Sequence, residues 1–281
     1  MNFETHAPSG PGADLVEAVF SFSAFVPDHS IERVVPTGDV FLIVELDGLE
    51  RHTYDNDTLE PDATFRGAWL SGAHHAYLSI SAHEDSAMFV VQFKAHGAYP
   101  FLHRPMSAFA DRVVPGEALE HLELGALRDA LVTAADASAR FAVADRWLDA
   151  RYDASLRPPA AFVQVVERLR DAPASKLQDV LATYGASQKH LIDQFKRYVG
   201  LTPKSFQRVL RFNDVLAQMK ERRTLSWADI AYRCGYADQS HFIREFKKFS
   251  GFNPTGFIER GFDEGEPNFF PLDPTPPAPE R

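Results

Sequence analysis

The spacing of apolar positions changes character near residue 95. Before it, they come in short runs: Val19 to Phe25, Ile31 to Val35 and Val40 to Leu46 read as strands, the last (VFLIVEL) almost wholly apolar. Pro36-Thr37-Gly38 reads as a turn bringing the third run back beside the second. Asp47 and Gly48 break that run, and Arg51 to Tyr54 begins a return strand. Past a polar surface loop, Asp55 to Asp62, strands recur at Gly67 to Leu70, Ala76 to Ser81 and Ala87 to Phe93, separated by Ser71-Gly72 and by His83-Glu84-Asp85-Ser86. Residues 1–12 read as an irregular arm. Short strands with regular turns predict a small barrel or double-sheet jelly roll.

From Ala98 the apolar spacing becomes helical. Ala98 to Leu102 and Met106 to Ala110 read as short helices. Gly116 to Ala135 and Ala137 to Tyr152 read as an antiparallel pair, with Leu119, Leu122, Leu124, Leu127 and Leu131 facing Phe141, Trp147 and Leu148. This pair either connects the β domain to the second half of the chain or forms a dimer surface. Leu156 to Ala160, with Arg157-Pro158-Pro159, is the expected linker.

The second half is organised around residues 226–257. Ser226 with Asp229 three residues on offers a cap to a short helix carrying Ile230, Ala231 and Cys234. Gly235 sits where a left-handed residue ends it, and Asp238 caps a second helix with Phe242, Phe246 and Phe249 on one stripe. Two helices across a tight glycine turn are the sequence form of a helix-turn-helix. Residues 175–206 repeat the plan, with Ser175 and Gln178 as capping box, Gly185 at the turn and Ser187 as second cap. At an offset of 51 residues, Leu191 matches Phe242, Phe195 matches Phe246, Lys196 matches Lys247, Gly200 matches Gly251, Pro203 matches Pro254 and Phe206 matches Phe257. Lys204 to Arg222 reads as one long helix between the copies. Two such units on a rigid spacer suit successive major grooves, about 34 Å apart.

The run IAYRCGYADQSHFIREFKKFSGFNP, residues 230–254, resembles the DNA-binding domain of the AraC/XylS family of bacterial transcription regulators. The resemblance covers about residues 160–260 and implies seven helices, double-stranded DNA as partner, and base contacts from Gln239, Ser240 and Arg244. His241 is placed for bases or phosphate. Lys189 and His190 take the corresponding place on the first recognition helix, with Lys196, Arg197 and Lys247 as further DNA-binding positions. Arg suits guanine and Gln adenine. One position departs from the pattern: Asp193 stands where the family often has arginine, which shifts the first helix toward backbone contacts and leaves discrimination to the second.

Charge agrees with this division. Residues 156–261 hold 18 Lys and Arg against 10 Asp and Glu, so the chain totals of 29 and 39 leave 11 against 29 elsewhere. A basic domain in an acidic chain is the electrostatic footprint of a DNA reader. The length, 281 residues, suits two domains, and 45% hydrophobic content is enough for two cores. Residues 1–14 contain no apolar run and no stretch reaches eighteen apolar residues, so neither a secretory signal nor a membrane span is expected. The single cysteine, Cys234, excludes an internal disulfide and fits a reducing cytoplasm; it is either a small core residue or a redox sensor.

Residues 31–115 resemble the cupin-like N-terminal domain of one branch of that family, through ERVVPTGDVFLIVELDG, VQFKAHGAYPFL and DRVVP. This implies a sensory domain whose aromatic-rich interior takes a small apolar or aromatic effector. His74, His75, His83, His96 and His103 lie in or beside it. No His-x-His occurs, and adjacent His74 and His75 point to opposite faces of a strand, so no metal or other cofactor is expected. No Gly-x-Ser-x-Gly, phosphate loop or metalloprotease motif occurs, and no enzyme activity is expected. The expectation is therefore an α+β chain in three parts. Residues 1–155 form a β-barrel or jelly-roll-like sensory domain with helical extension; residues 156–261 form an all-α double helix-turn-helix domain; residues 262–281 form a disordered, acidic, proline-rich tail, the alternative being that Phe269-Phe270 and Leu272 pack back onto the domain. Its function is that of a transcription regulator with an unidentified effector, a homodimer and RNA polymerase being possible partnerships. The alternatives are a cupin-type binding protein or enzyme with an accessory reader, and an architectural binder whose β domain only dimerises.

Overall fold

The computed structural model describes residues 1–221, 226–259 and 269–272. Nine strands come first: β1 (Asn2–His6), β2 (Val16–Phe25), β3 (Ile31–Val34), β4 (Val40–Glu45), β5 (Arg51–Tyr54), β6 (Pro61–Phe65), β7 (Ala68–Ser71), β8 (Leu78–Ser81) and β9 (Ser86–Phe93). Helix α1 (Tyr99–Leu102), strand β10 (Val113–Pro115) and helices α2 (Leu124–Thr133) and α3 (Ala137–Arg151) complete the first half. Seven α-helices then span residues 160–259 among those described: α4 (Ala160–Asp171), α5 (Leu177–Leu181), α6 (Gln188–Tyr198), α7 (Pro203–Glu221), α8 (Trp227–Arg233), α9 (Gln239–Ser250) and α10 (Pro254–Glu259). Strand β11 (Phe269–Pro271) ends the described chain.

The strands form two antiparallel sheets, in the orders β1-β2-β9-β4-β7-β10 and β11-β3-β8-β5-β6. This is the double-sheet form of the expectation; the two sheets stay separate and do not close into a barrel. Strand β4 lies between β9 and β7, where Leu42 faces Val91 on one side and Leu70 on the other. That central position explains its nearly unbroken apolar run, since a strand with neighbours on both sides and a covered face exposes little. The expected hairpin across Pro36-Thr37-Gly38 does not form. Strand β3 pairs instead with β8, Glu32 opposite Ile80, so the turn carries the chain from one sheet to the other. Arg51–Tyr54 likewise pairs with β6 and β8, not β4. Residues 2–6, read as an irregular arm, are a strand opposite β2, and the polar loop after Tyr54 ends early, at β6.

The helical extension covers the six-stranded sheet. Val19, Leu42, Val44, Phe89 and Phe93 share one core with Phe101, Leu127, Leu131, Phe141 and Trp147. The first member of the expected helical pair is broken: residues 116–122 form a 3-10 turn interrupted at Leu119, and Glu123 adopts φ 51° before α2 begins.

The two halves meet through a shared interior. Val35, Ala73 and Ala95 of the β domain belong to the same buried cluster as Phe162, Phe195, Phe206 and Phe246. Polar groups cross as well. Arg170 on α4 pairs with the buried Asp39 carboxylate, which also accepts from Gln92 Nε2 at 2.8 Å. Asn213 on α7 donates to the Pro36 carbonyl at 2.9 Å. Gly38, at φ +87°, comes so close to the Phe206 ring that a Cβ there would lie 2.9 Å from it. The expected linker is thus tied down, with Arg157 paired to Asp14.

Over residues 269–272 the tail takes the packed-back alternative and not the expected disorder. Phe269–Pro271 pairs antiparallel with β3, Phe269 opposite Val34 and Phe270 opposite Arg33, and Leu272 N–H donates to the Ile31 carbonyl at 2.9 Å. Phe270 is buried against Phe257 of α10, ring centroids 4.4 Å apart. The apolar pair Phe269-Phe270 explains this: inside an acidic, proline-rich run it supplies the one patch able to enter a core. The tail's other residues, 262–268 and 273–281, lie outside the described residues, as do Arg222 of the expected spacer and residues 260–261.

Candidate nucleic-acid interface

Two helix pairs, α5 with α6 and α8 with α9, are each joined across a left-handed glycine, Gly185 at φ 73° and Gly235 at φ 74°. Any other residue would be strained there, and a Cβ on Gly235 would also meet the Ala174 carbonyl at 3.0 Å. Three of the four expected caps form. Ser187 Oγ accepts from His190 N–H at 3.2 Å, Ser226 Oγ from Asp229 N–H at 3.2 Å, and Asp238 Oδ1 from His241 N–H at 2.7 Å. The exception is Ser175, because α5 begins later, with Lys176 at its N-cap position and no side-chain bond. The Ser175 carbonyl is used instead, accepting from Gln207 Nε2 at 2.8 Å.

Helix α7, nineteen residues or about 28 Å long, supports both pairs. Phe206, Val209, Phe212 and Val215 face the core. On its polar side Arg211 reaches the Pro173 carbonyl at 2.8 Å and the Gly235 carbonyl at 3.1 Å, so one guanidinium ties the approach to α5 to the turn before α9. Arg208 grips Glu245 of α9 with two donors, Nε to Oε2 at 3.0 Å, and Glu245 is buried. Phe242, Phe246 and Phe249 fill the space beneath α9, as their spacing predicts.

The opposite faces carry the candidate side chains. Gln239, Ser240, Arg244 and Lys247 on α9, and Lys189, His190, Lys196 and Arg197 on α6, are all exposed. His241 is half-buried, its ring edge-on to Tyr236 at 5.5 Å and its Nε2 4.0 Å from Glu245 Oε1. His190 stacks on Tyr184 at 5.8 Å. Each histidine is thus held against an aromatic residue of its own turn. Asp193 is exposed on the face that presents Lys189 and Lys196.

Arg244 and Lys247 also line a cleft of about 560 Å³ with Lys248 and Gly251, whose far wall is Arg33, Asn56, Asp57 and Tyr77 of the β domain. Sequence spacing cannot join these groups, which come from both ends of the chain. Tyr232 on α8, 85% exposed, is a further surface group that the motif alone does not single out. Its position between apolar Ala231 and cationic Arg233 is the available signal.

Other candidates separate into local roles. His74 Nε2 meets Ser71 Oγ at 3.1 Å, His75 meets Asp111 at 2.6 Å, and His103 meets the Arg151 carbonyl at 2.8 Å. Among the described residues no three metal-ligating side chains are grouped to hold an ion, and no helix is long and apolar enough to cross a membrane. Cys234 is buried, accepts from Gln218 Nε2 at 3.2 Å, and has its thiol pKa pushed up to about 12 by burial, which makes it a core side chain rather than a reactive one.

Comparison with known proteins finds two separate matches along the chain. Residues 181–260 match a family model described as a helix-turn-helix domain, and residues 4–115 match a domain of unknown function, DUF6597. The expected cupin-like relationship finds no support in the second match. The chain is 32% identical over 111 residues to the HTH-type transcriptional activator RhaS of Klebsiella pneumoniae (strain 342), which is 37% of each chain. It is 35% identical over 89 residues to RhaS of Escherichia coli (strain SE11), 30% of each. The chain therefore spans about a third of the length of these curated relatives. Among solved structures, ToxT from Vibrio cholerae O395 aligns with 86% of this chain and 97% of its own, at 11% identity and a TM-score of 0.44. Residues 181–260 are thus similar to a helix-turn-helix domain, and they follow a β-rich part that matches DUF6597 over residues 4–115.

Proposed function

We propose that this protein is a sequence-specific, DNA-binding transcription regulator of the AraC/XylS type, controlled by a small molecule that the β domain senses. The observation that carries the reading is the duplicated helix pair on α7. Each pair presents exposed polar and cationic side chains over a buried aromatic stripe, in the half of the chain where basic residues outnumber acidic ones. RhaS, the relative matched in part, is named a transcriptional activator, which supports the same class.

In this reading both pairs are helix-turn-helix units and double-stranded DNA is the partner. Gln239, Ser240 and Arg244 read base edges from α9. Lys189, His190, Lys196, Arg197 and Lys247 hold phosphates, and His241, turned toward Tyr236, contributes at the edge of the site. Asp193 repels phosphate and leaves α6 to position the protein rather than to discriminate. The protein works in the bacterial cytoplasm, and a second copy and RNA polymerase are its further partners.

The test is selection of genomic DNA fragments with the purified chain, followed by footprinting and competition with random DNA at fixed salt. A footprint of about two helical turns, with specific binding roughly 10³-fold or more tighter than random, is expected. Weak, salt-sensitive, sequence-blind binding with and without candidate effectors would overturn the reading.

A further inference from the structure

Strand β11, which follows α10 in the chain, lies on the five-stranded sheet of the β domain close to the end of α9. Three contacts lie close together. Strand β11 extends the sheet beyond β3 through the register Phe269 to Val34, Phe270 to Arg33 and Pro271 to Glu32. Phe270 packs on Phe257 of α10. Arg33, in the middle of β3, lays its guanidinium over Tyr77 and over Phe252, 4.5 Å from each ring, and lies directly against Gly251 at the end of α9. A Cβ at Gly251 would fall 2.5 Å from that guanidinium, so the helix end and the strand touch with no spare room.

The consequence is electrostatic and steric. The cleft this packing creates places the turn at Asn56-Asp57 across from Arg244, Lys247 and Lys248. That turn is well fixed: Asp55 Oδ1 accepts from Asp57 N–H at 3.0 Å and Thr58 N–H at 2.8 Å, while Asn56 Nδ2 donates to the Tyr77 carbonyl at 3.0 Å and Asn56 Oδ1 accepts from Ser79 at 2.8 Å. Asp55, Asp57 and Glu60 are exposed around it. Asp57, in a rigid wall that also holds Arg33, therefore stands beside cations that a phosphate backbone would need to approach.

Resting on the DNA-binding reading above, we propose that the β11 strand is an intramolecular latch: paired with β3, it holds the second recognition helix against the acidic turn of the β domain and lowers DNA affinity. Release of β11 from β3 removes the Phe270–Phe257 contact and lets α10 and the end of α9 draw away from the Asn56-Asp57 turn, so that DNA approaches the exposed Arg244, Lys247 and Lys248 without that wall beside them. Because β3 belongs to the β domain, any event there that shifts β3 reaches α9 through β11 and Arg33.

The experiment uses the full chain with Val34→Cys and Phe269→Cys, the directly opposed pair, Cys234 being buried. Affinity for the selected site is measured in the oxidised and the reduced protein, and beside it for Δ266–281 and Asp57→Asn. The oxidised, latched form should bind about fivefold or more weakly than the same protein reduced. Δ266–281 should bind more tightly than wild type by a similar factor. Asp57→Asn, a surface change that leaves folding intact, should gain about two- to threefold. Equal affinity in both oxidation states with the disulfide fully formed, or no gain from truncation and from Asp57→Asn, overturns the latch while leaving a DNA-binding wild type untouched. A wild-type chain that selects no DNA sequence overturns the functional reading itself, and the latch with it.

Discussion

Arg208 of α7 holds the buried carboxylate of Glu245 of α9 from two directions, Nε at 3.0 Å from Oε2 and the second guanidinium donor on Oε1. This pair, rather than the aromatic stripe alone, sets the rotation of α9 about its own axis. The phenylalanines beneath would tolerate a small roll; a bidentate charge pair does not. Removing one partner strands a charge. Arg208→Ala is therefore expected to cost roughly 2–3 kcal/mol, below the full figure for a buried pair because Arg208 remains partly exposed. The double variant Arg208→Met with Glu245→Leu should recover most of it. Urea unfolding of the three proteins measures this directly, and a double variant as unstable as Arg208→Ala would refute the assignment.

Base reading and phosphate holding separate by their pattern on DNA. Arg244→Ala should lose about 1–3 kcal/mol on the specific site and relax one base position, with random DNA little affected. Lys196→Ala should weaken both about equally and reduce the salt slope by about one. Competition titrations at several salt concentrations distinguish the two. Equal loss on specific and random DNA for Arg244→Ala would remove it from the base-reading set.

Helix caps give a paired prediction. Asp238 accepts the His241 N–H, so Asp238→Ala should destabilise by about 1 kcal/mol. Ser175 makes no side-chain cap, and Ser175→Ala should stay within about 0.5 kcal/mol of wild type. Thermal unfolding of both variants tests the contrast, which fails if the two losses are alike.

That contrast also shows what is legible in the chain. The second helix pair can be read nearly residue by residue because its signals are local: Ser226, Gly235 and Asp238 act on backbone within four positions of themselves. The first pair is legible by its match to the second, yet its Ser175 cap is misplaced, since long-range donors from Gln207 and Arg211 claim the Ser175 carbonyl and shift the helix start. Strands are legible one by one, but their partners are not. Local alternation says that Ile31 to Val35 is a strand, whereas which partner it takes depends on Leu78–Ser81 and on Phe269, far away in sequence. The candidate site divides along the same line: the motif marks the residues of α6 and α9, whereas nothing local marks Asn56, Asp57 and Tyr77 opposite Arg244.

His96 offers a pH test of the contact between the halves. It is buried beside α4, its Nδ1 3.8 Å from Glu167 Oε1, and burial, aided by the Arg170 and Lys94 charges, lowers its pKa to about 4. The unfolded chain binds this proton below about pH 6.5 and the folded chain only below about 4. Stability from neutral His96 is thus complete above pH 6.5 and lost as pH falls toward 4, by about 2 kcal/mol at pH 5. Unfolding free energies at pH 7.5 and 5 should differ by that much more in wild type than in His96→Gln. An identical pH dependence would show that His96 is not held neutral.

The pairing of β11 with β3 joins residues 235 positions apart, Val34 and Phe269. At ribosomal speeds of about 5–20 residues per second, β3 leaves the ribosome roughly 10–50 s before the strand that covers it. Throughout that interval one side of β3 offers unpaired backbone groups, the kind of edge that recruits strands from neighbouring chains. The charges of Glu32 and Arg33 lie on that edge and disfavour such pairing, so the residues that meet the tail in the finished protein also guard its place during synthesis.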